Sequence, residues 1–357
     1  MKRLILAGAS LGLVMGCQDG TSPPPPPAPA ADIAAAFARK PDAPPNHRFF
    51  AVVGINGNLV HGSHVSKVIH LGPGRYEVTF TSNVSQCAYV ATTNNAYSQA
   101  IQAFTAGGHM GANGVYVETK NQGGGLTDGP FNLVATCGGT GIRYAVIGYG
   151  ANLVRATAGT ALSPLGSGRY NITFATSVSA CAYIATVGDP GNALVFNPSG
   201  VYTGSGPDAQ TVYIETKNTG GGLQNGVPFH LAVVCPNGKT RFAVVRAAGT
   251  IERASKGTTS TRPATGQYTI KYNRNIRACA TVAARGSVGT AVPFTPATVE
   301  IVPGPRARAI GIQVRQLLFF GGAFINQDFH AATVCDGQHD EQDVEEEQDV
   351  ELEGAVE

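Results

Sequence analysis

Short segments of this chain alternate apolar and polar residues with a period of two. Tyr76, Val78 and Phe80 point one way while Glu77 and Thr79 point the other. The same parity returns at Tyr170, Ile172 and Phe174, and at Tyr268, Ile270 and Tyr272. That period marks a strand with one buried face. Segments 115–119, 212–216 and 310–314 behave similarly, and Gly, Asn and Pro turns separate them. Counting such runs predicts seven or eight short strands in each of three copies, an all-β chain of antiparallel β-sandwiches, immunoglobulin-like or a small jelly roll. The absence of Trp argues against an antibody-type domain, whose core Trp packs on its disulfide.

The copies are visible on self-comparison. GPGRYEVTF at 72–80 returns as GSGRYNITF at 166–174 and, more weakly, as TGQYTIKY at 265–272. CAYVAT from Cys87 returns as CAYIAT from Cys181 and CATVAA from Cys279. FNLVATC ending at Cys137 returns as FHLAVVC ending at Cys235 and FHAATVC ending at Cys335. These spacings predict three β-sandwich repeats at 48–139, 140–238 and 239–337.

Composition narrows the class. Only 13% of residues are charged, 46 are Gly and 22 are Pro, which suits strands and turns better than amphipathic helices. Beyond the N-terminus no apolar run approaches the roughly 18 residues of a spanning helix. Residues 1–16 read as a signal peptide, with Lys2 and Arg3 before an apolar stretch. Residues 17–47 read as a Pro-rich stalk, and TSPPPPPAP at 21–29 is expected to be extended polyproline II.

Val14-Met15-Gly16-Cys17 resembles the lipobox of bacterial lipoproteins, a family in which the Cys receives the lipid and becomes the mature N-terminus. The resemblance implies lipidation of Cys17 and a membrane partner through that anchor. Gln18 stands where inner-membrane lipoproteins of enteric bacteria carry Asp, which implies the outer membrane of the cell envelope. The tandem repeat pattern looks like one seen in exported proteins of environmental bacteria, and it implies a fold and no activity.

Seven Cys are then accounted for. With Cys17 set aside, Cys87/Cys137, Cys181/Cys235 and Cys279/Cys335 lie 50, 54 and 56 residues apart. Each pair joins the start of one core strand to the end of another. An exported chain meets an oxidising compartment, so three intradomain disulfides are expected. Zinc is the rival reading, but no CxxC occurs and no copy adds two His at ligand spacing.

Candidate chemistry is sparse. His61, His64 and His70 cluster in the first copy without counterparts elsewhere, and read as solvated loop residues rather than metal ligands. His230 and His330 recur at one place where the first copy has Asn132, so no shared catalysis needs an imidazole. The triple-Gly stretches 123–125 and 220–222 precede no helix N-terminus that could cradle phosphate and read as flexible hairpin loops. Glu118 and Glu215 occupy equivalent outward positions in separate copies, with Gln313 in the third. No enzyme, metal or cofactor is expected.

Charge separates the copies. The first two carry +1 each. The third has thirteen basic residues against three acids, and the segment 336–357 has eleven acids and no Lys or Arg. Residues 338–357 are expected to form an acidic disordered tail. The third repeat should attract polyanions, with Lys271 and Arg315 on the outward parity of their strands and Arg274 and Arg277 in the turn before Cys279. Candidate partners are acidic polysaccharide, lipopolysaccharide, extracellular DNA or a protein. The favoured function is a lipid-anchored envelope or cell-surface binding and adhesion protein. A structural spacer without a ligand is the alternative, and a glycan-active hydrolase a distant third.

Overall fold

The structure, a computed structural model, describes residues 48–94, 100–193, 199–236, 240–290, 292, 295–316 and 322–336. Every regular element among them is a strand. Cys17, the signal, the stalk and the tail lie outside the described residues.

Each copy folds into eight strands. The first holds β1 (Phe49–Val53), β2 (Leu59–Ser63), β3 (Val65–Gly72), β4 (Arg75–Phe80), β5 (Ala88–Thr93), β6 (Ile101–Gly107), β7 (Gly114–Asn121) and β8 (Phe131–Thr136). The second holds β9 (Ile142–Ile147), β10 (Leu153–Ala156), β11 (Ala161–Gly166), β12 (Arg169–Thr173), β13 (Ala182–Val187), β14 (Ser199–Ser205), β15 (Thr211–Asn218) and β16 (Phe229–Val234). The third holds β17 (Arg241–Val245), β18 (Ile251–Ala254), β19 (Thr259–Ala264), β20 (Gln267–Lys271), β21 (Ala280–Arg285), β22 (Ala297–Pro303), β23 (Ala309–Gln316) and β24 (Phe329–Val334).

Two antiparallel four-stranded sheets form each sandwich, in the orders β2-β1-β8-β5 and β3-β4-β7-β6 in the first copy. The other copies repeat both orders. The first and last strands are paired neighbours, and β4 pairs with β7 in the facing sheet. An immunoglobulin domain puts its first and last strands in different sheets, whereas here they are neighbours in one sheet, so the topology is not immunoglobulin-like. A disulfide joins the start of β5 to the end of β8, and the equivalent bridges Cys181–Cys235 and Cys279–Cys335 close the other two.

In the sheet containing β1, the strands β1, β8 and β5 are buried on both faces, while β2 is largely exposed. Phe49, Ala51 and Val53 enter the core of their own sandwich with Tyr76, Val78 and Phe80. Phe50 and Val52 point the other way, into a second core of fifteen residues drawn from all three copies, including Ile184, Phe242 and Val282. Fully burying a Val, Ile or Phe side chain contributes about 1.5–3 kcal/mol, so the copies stabilise one another through this core. They are not independent beads. β5 packs on β16, β13 on β24 and β21 on β8, which closes a ring with approximate threefold symmetry around the shared core. A small cavity of about 60 Å³ lies on that axis, lined by Thr92, Thr186 and Ala284 from the three copies.

Candidate functional site: three seams and a basic end

The ring has three seams, built from equivalent residues. Between the first and second copies, the His230 ring lies against Tyr89 (centroids 5.0 Å apart). Its Nδ1 accepts the Tyr89 N–H at 2.9 Å, and its Nε2 donates to the Asp189 carbonyl at 3.1 Å. Between the second and third copies His330 repeats this, accepting from Tyr183 N–H at 2.8 Å and donating to the Ser287 carbonyl at 3.2 Å. Both imidazoles are fully buried. Burial, then the nearby Arg155 or Arg253, pushes each down to about 3, so both rings are neutral near pH 7.

An arginine locks each of these seams. Arg155 donates from Nε to the Cys87 carbonyl at 3.0 Å and from Nη1 to the Pro190 carbonyl at 2.7 Å, and lies over the Tyr89 ring. Arg253 makes the equivalent bond to the Cys181 carbonyl at 2.7 Å and lies over Tyr183.

The third seam, where the third copy meets the first, is built differently. Asn132 stands in the place of the two histidines, Thr281 in the place of the two tyrosines, and His61 in the place of the two arginines. Asn132 donates to the Thr281 carbonyl at 2.7 Å, and His61 Nε2 bonds the Cys279 carbonyl at 3.0 Å. Asn132 is 3% exposed, yet its Oδ1 has no hydrogen-bond partner. Thr92 Oγ1 still clasps the Ala283 N–H and carbonyl at 2.8 and 2.9 Å, as Thr186 clasps Ala91 between the first two copies. A cleft of about 260 Å³ opens here, reaching Val52, Asn132 and Thr281 and bordered by Arg277 and Arg306. The matching groove between the first and second copies has the same volume, but Tyr89, Pro190 and three glycines of β6 and its turn line it instead.

Six basic residues of the third copy sit on the loops beside that cleft. Lys256 sits in the turn before β19, Lys271 ends β20, Arg274 and Arg277 follow it, and Arg306 and Arg308 precede β23. Backbone bonds from Tyr272 to Arg308 and from Ile276 to Ala307 hold the last two loops together. Equivalent positions hold His64, Thr79, Ser82, Ser85, Gly111 and Asn113 in the first copy, and Ala158, Thr173, Thr176, Ser179, Asp208 and Gln210 in the second. The acids of the third copy lie elsewhere. Glu252 pairs with Arg246, Asp328 accepts from the Ala247 and Val288 N–H groups, and Glu300 is buried.

Four residues were expected to bind polyanions, and the structure divides them. Lys271 and Arg277 are exposed; Arg274 and Arg315 are buried, at 6% and 9%. Arg315 does lie on the polar side of β23, but that side is covered. Its guanidinium pairs with Glu300 on the adjacent strand at 3.3 Å, bonds Gln313 and stacks over Phe324 at 4.2 Å. On the same loops, Lys256 and Arg306 are exposed and parity did not single them out.

The outward glutamates are likewise covered and paired. Glu118 meets Lys120 at 2.7 Å, with the ammonium over Phe104, and Glu215 meets Lys217 at 2.8 Å, with the ammonium over Tyr202. In the third copy the acid has crossed to the neighbouring strand: Glu300 takes the place of Phe104 and Tyr202, and Gln313 that of the glutamates. Burial pushes Glu300 up to about 7 in spite of Arg315. Glu77 is also buried and raised, although the Met110 and His109 N–H groups bond it.

The remaining histidines are dispersed. His61 serves the third seam, His70 bonds Asp128 at 2.9 Å, and His64 lies against Phe49. No group of three or more metal-ligating side chains occurs among the described residues. The triple-Gly segments are tight hairpin turns: Lys120 faces Leu126 and Lys217 faces Leu223 in antiparallel bridges, and Asn121 and Asn218 accept N–H groups within each turn before the chain crosses to the other sheet.

No protein-family model, curated protein or solved structure matches the chain.

Proposed function

We propose that the protein is an envelope-anchored binding protein whose ring of sandwiches presents the basic end of the third copy to an anionic polymer. The observation that carries this reading is the convergence of Lys256, Lys271, Arg277 and Arg306, all exposed, on three adjoining loops with no acid among them. Summed charge of one sign over a small surface attracts a polyanion more than any single pair would. Acidic polysaccharide is the favoured ligand, with lipopolysaccharide and extracellular DNA as rivals. Three disulfides suit an oxidising, extracytoplasmic or envelope compartment. Lipidation at Cys17 and an outer-membrane location extend that reading, and the mass of the mature N-terminal peptide checks them.

A closed ring disfavours the spacer alternative, because repeats that only set length gain nothing by folding back on the first. The test is binding of polyuronate, lipopolysaccharide and duplex DNA by the full chain. It is compared with a variant carrying Lys256→Ala, Lys271→Thr, Arg277→Ser and Arg306→Gly, which restores residues of the other copies. Polyuronate affinity is expected to fall at least tenfold in the variant and steeply between about 50 and 300 mM salt in the wild type. Equal binding by both proteins refutes the reading.

A further inference from the structure

The groove of the third seam equals its counterpart between the first two copies in volume and differs from it in chemistry. At the other two seams a Tyr, a His and an Arg bridge the copies. Here Thr281, Asn132 and His61 stand in their places and line the cleft. The mouth carries Arg277 and Arg306, where the equivalent groove has Ser85 and Gly111. Ile276, Ile301 and Ile310 supply apolar wall.

We propose that this cleft binds the terminal acidic sugar of an anionic polysaccharide. A carboxylate at the mouth meets two guanidinium groups, whose planar forks suit carboxylate oxygens. The C–H faces of the ring lie on the isoleucines. The volume, about 260 Å³, lies just under the roughly 300 Å³ at the small end of ligand pockets, which fits one sugar ring and not a run of them. This inference rests on the polyanion reading of the same end and gives it a chemical class and an end-group preference.

The experiment titrates the full chain with methyl glucuronide and with methyl glucoside, observed by saturation-transfer NMR, beside the polyuronate measurement. The uronide should bind saturably, and the neutral glucoside at least tenfold more weakly. Arg277→Ser should weaken the uronide at least tenfold. Ala307→Tyr, which places a bulky side chain on the lining of the cleft, should abolish uronide binding while keeping polymer binding to the exposed lysines. If that variant does not unfold cooperatively, Arg306→Gly removes the second guanidinium and should weaken the uronide at least tenfold. Absence of saturable uronide binding, or uronide binding unchanged by these variants, overturns the cleft and leaves the polymer reading standing. Uronide binding without any polyuronate binding overturns the polymer reading and leaves the cleft.

Discussion

The seam between the first two copies and the seam between the third and first use the same strands, yet differ at three contacting positions. Tyr89, His230 and Arg155 on one side correspond to Thr281, Asn132 and His61 on the other. The first set makes a stacked pair and four hydrogen bonds to backbone; the second makes two. Chain connectivity explains why the difference is tolerated. The seams joining consecutive copies set the geometry, and the closing seam forms between surfaces already held at high effective concentration. It needs less affinity of its own. Function can therefore occupy the closing seam at the smallest cost to the ring.

The largest expected separation between the seams comes from acid. His230 and His330 stay neutral in the folded protein down to about pH 3, whereas in the unfolded chain they take up protons near 6.5. Protonation between those values therefore favours unfolding, and each histidine withdraws about 1.4 kcal/mol per pH unit. Glu300, raised to about 7, and Glu77, also raised, act oppositely: the folded protein binds their protons first, so their contribution is lost as pH rises above the unfolded carboxylate range. The wild-type profile mixes these effects. A difference isolates the histidines. Relative to His230→Asn/His330→Asn, the wild type should lose about 5 kcal/mol between pH 6.5 and 4.5, read from urea midpoints at each pH. A constant difference would mean that the imidazoles are not buried neutral.

Truncation at neutral pH comes next in size. His230→Ala removes a ring from a filled seam and strands the Tyr89 N–H and the Asp189 carbonyl, at an expected cost of about 3 kcal/mol. Asn132→Ala removes a side chain that already borders a cleft and makes one bond, at about 1 kcal/mol. Chemical denaturation of both variants measures the contrast, and equal losses would show that the third seam is as tightly packed as the first.

Repeats, eight-stranded copies and disulfide partners are legible in the sequence, because alternation and recurrence are local signals. The ring is legible only in part. FFAVV at β1 and AYVATT at β5 are continuous rather than alternating, which is how a strand buried on both faces reads; the alternating strands of the outer sheet draw attention away from them. His230 and His330 recur without an evident chemistry because their partners lie on the preceding copy, 141 and 147 residues away. Arg315 shows the limit of parity most plainly. Alternation places it on the polar side of β23, but Glu300 and Phe324, which cover that side, come from other segments. Burial of a polar face is a tertiary fact.

The smallest contrast tests whether the arginines lock seams through hydrogen bonds or through the bulk of their side chains. Arg155 and Arg253 reach across to the carbonyl of a disulfide cysteine, Cys87 or Cys181, while their guanidinium planes cover a tyrosine. Arg155→Met keeps much of the apolar stem over Tyr89 but abandons the Cys87 and Pro190 carbonyls, at an expected cost of about 1–2 kcal/mol. His61→Ala at the closing seam gives up a single bond to the Cys279 carbonyl, about 1 kcal/mol or less. Because Tyr89 packs against both Arg155 and His230, the effects of Arg155→Met and His230→Ala should fall short of or exceed their sum. Arg155→Met and His61→Ala, on different seams, should add within about 0.5 kcal/mol. A double-mutant cycle on melting or urea midpoints reads both. Strong coupling across the two seams would mean that the ring opens as one unit and that its closing contact is no looser than the rest.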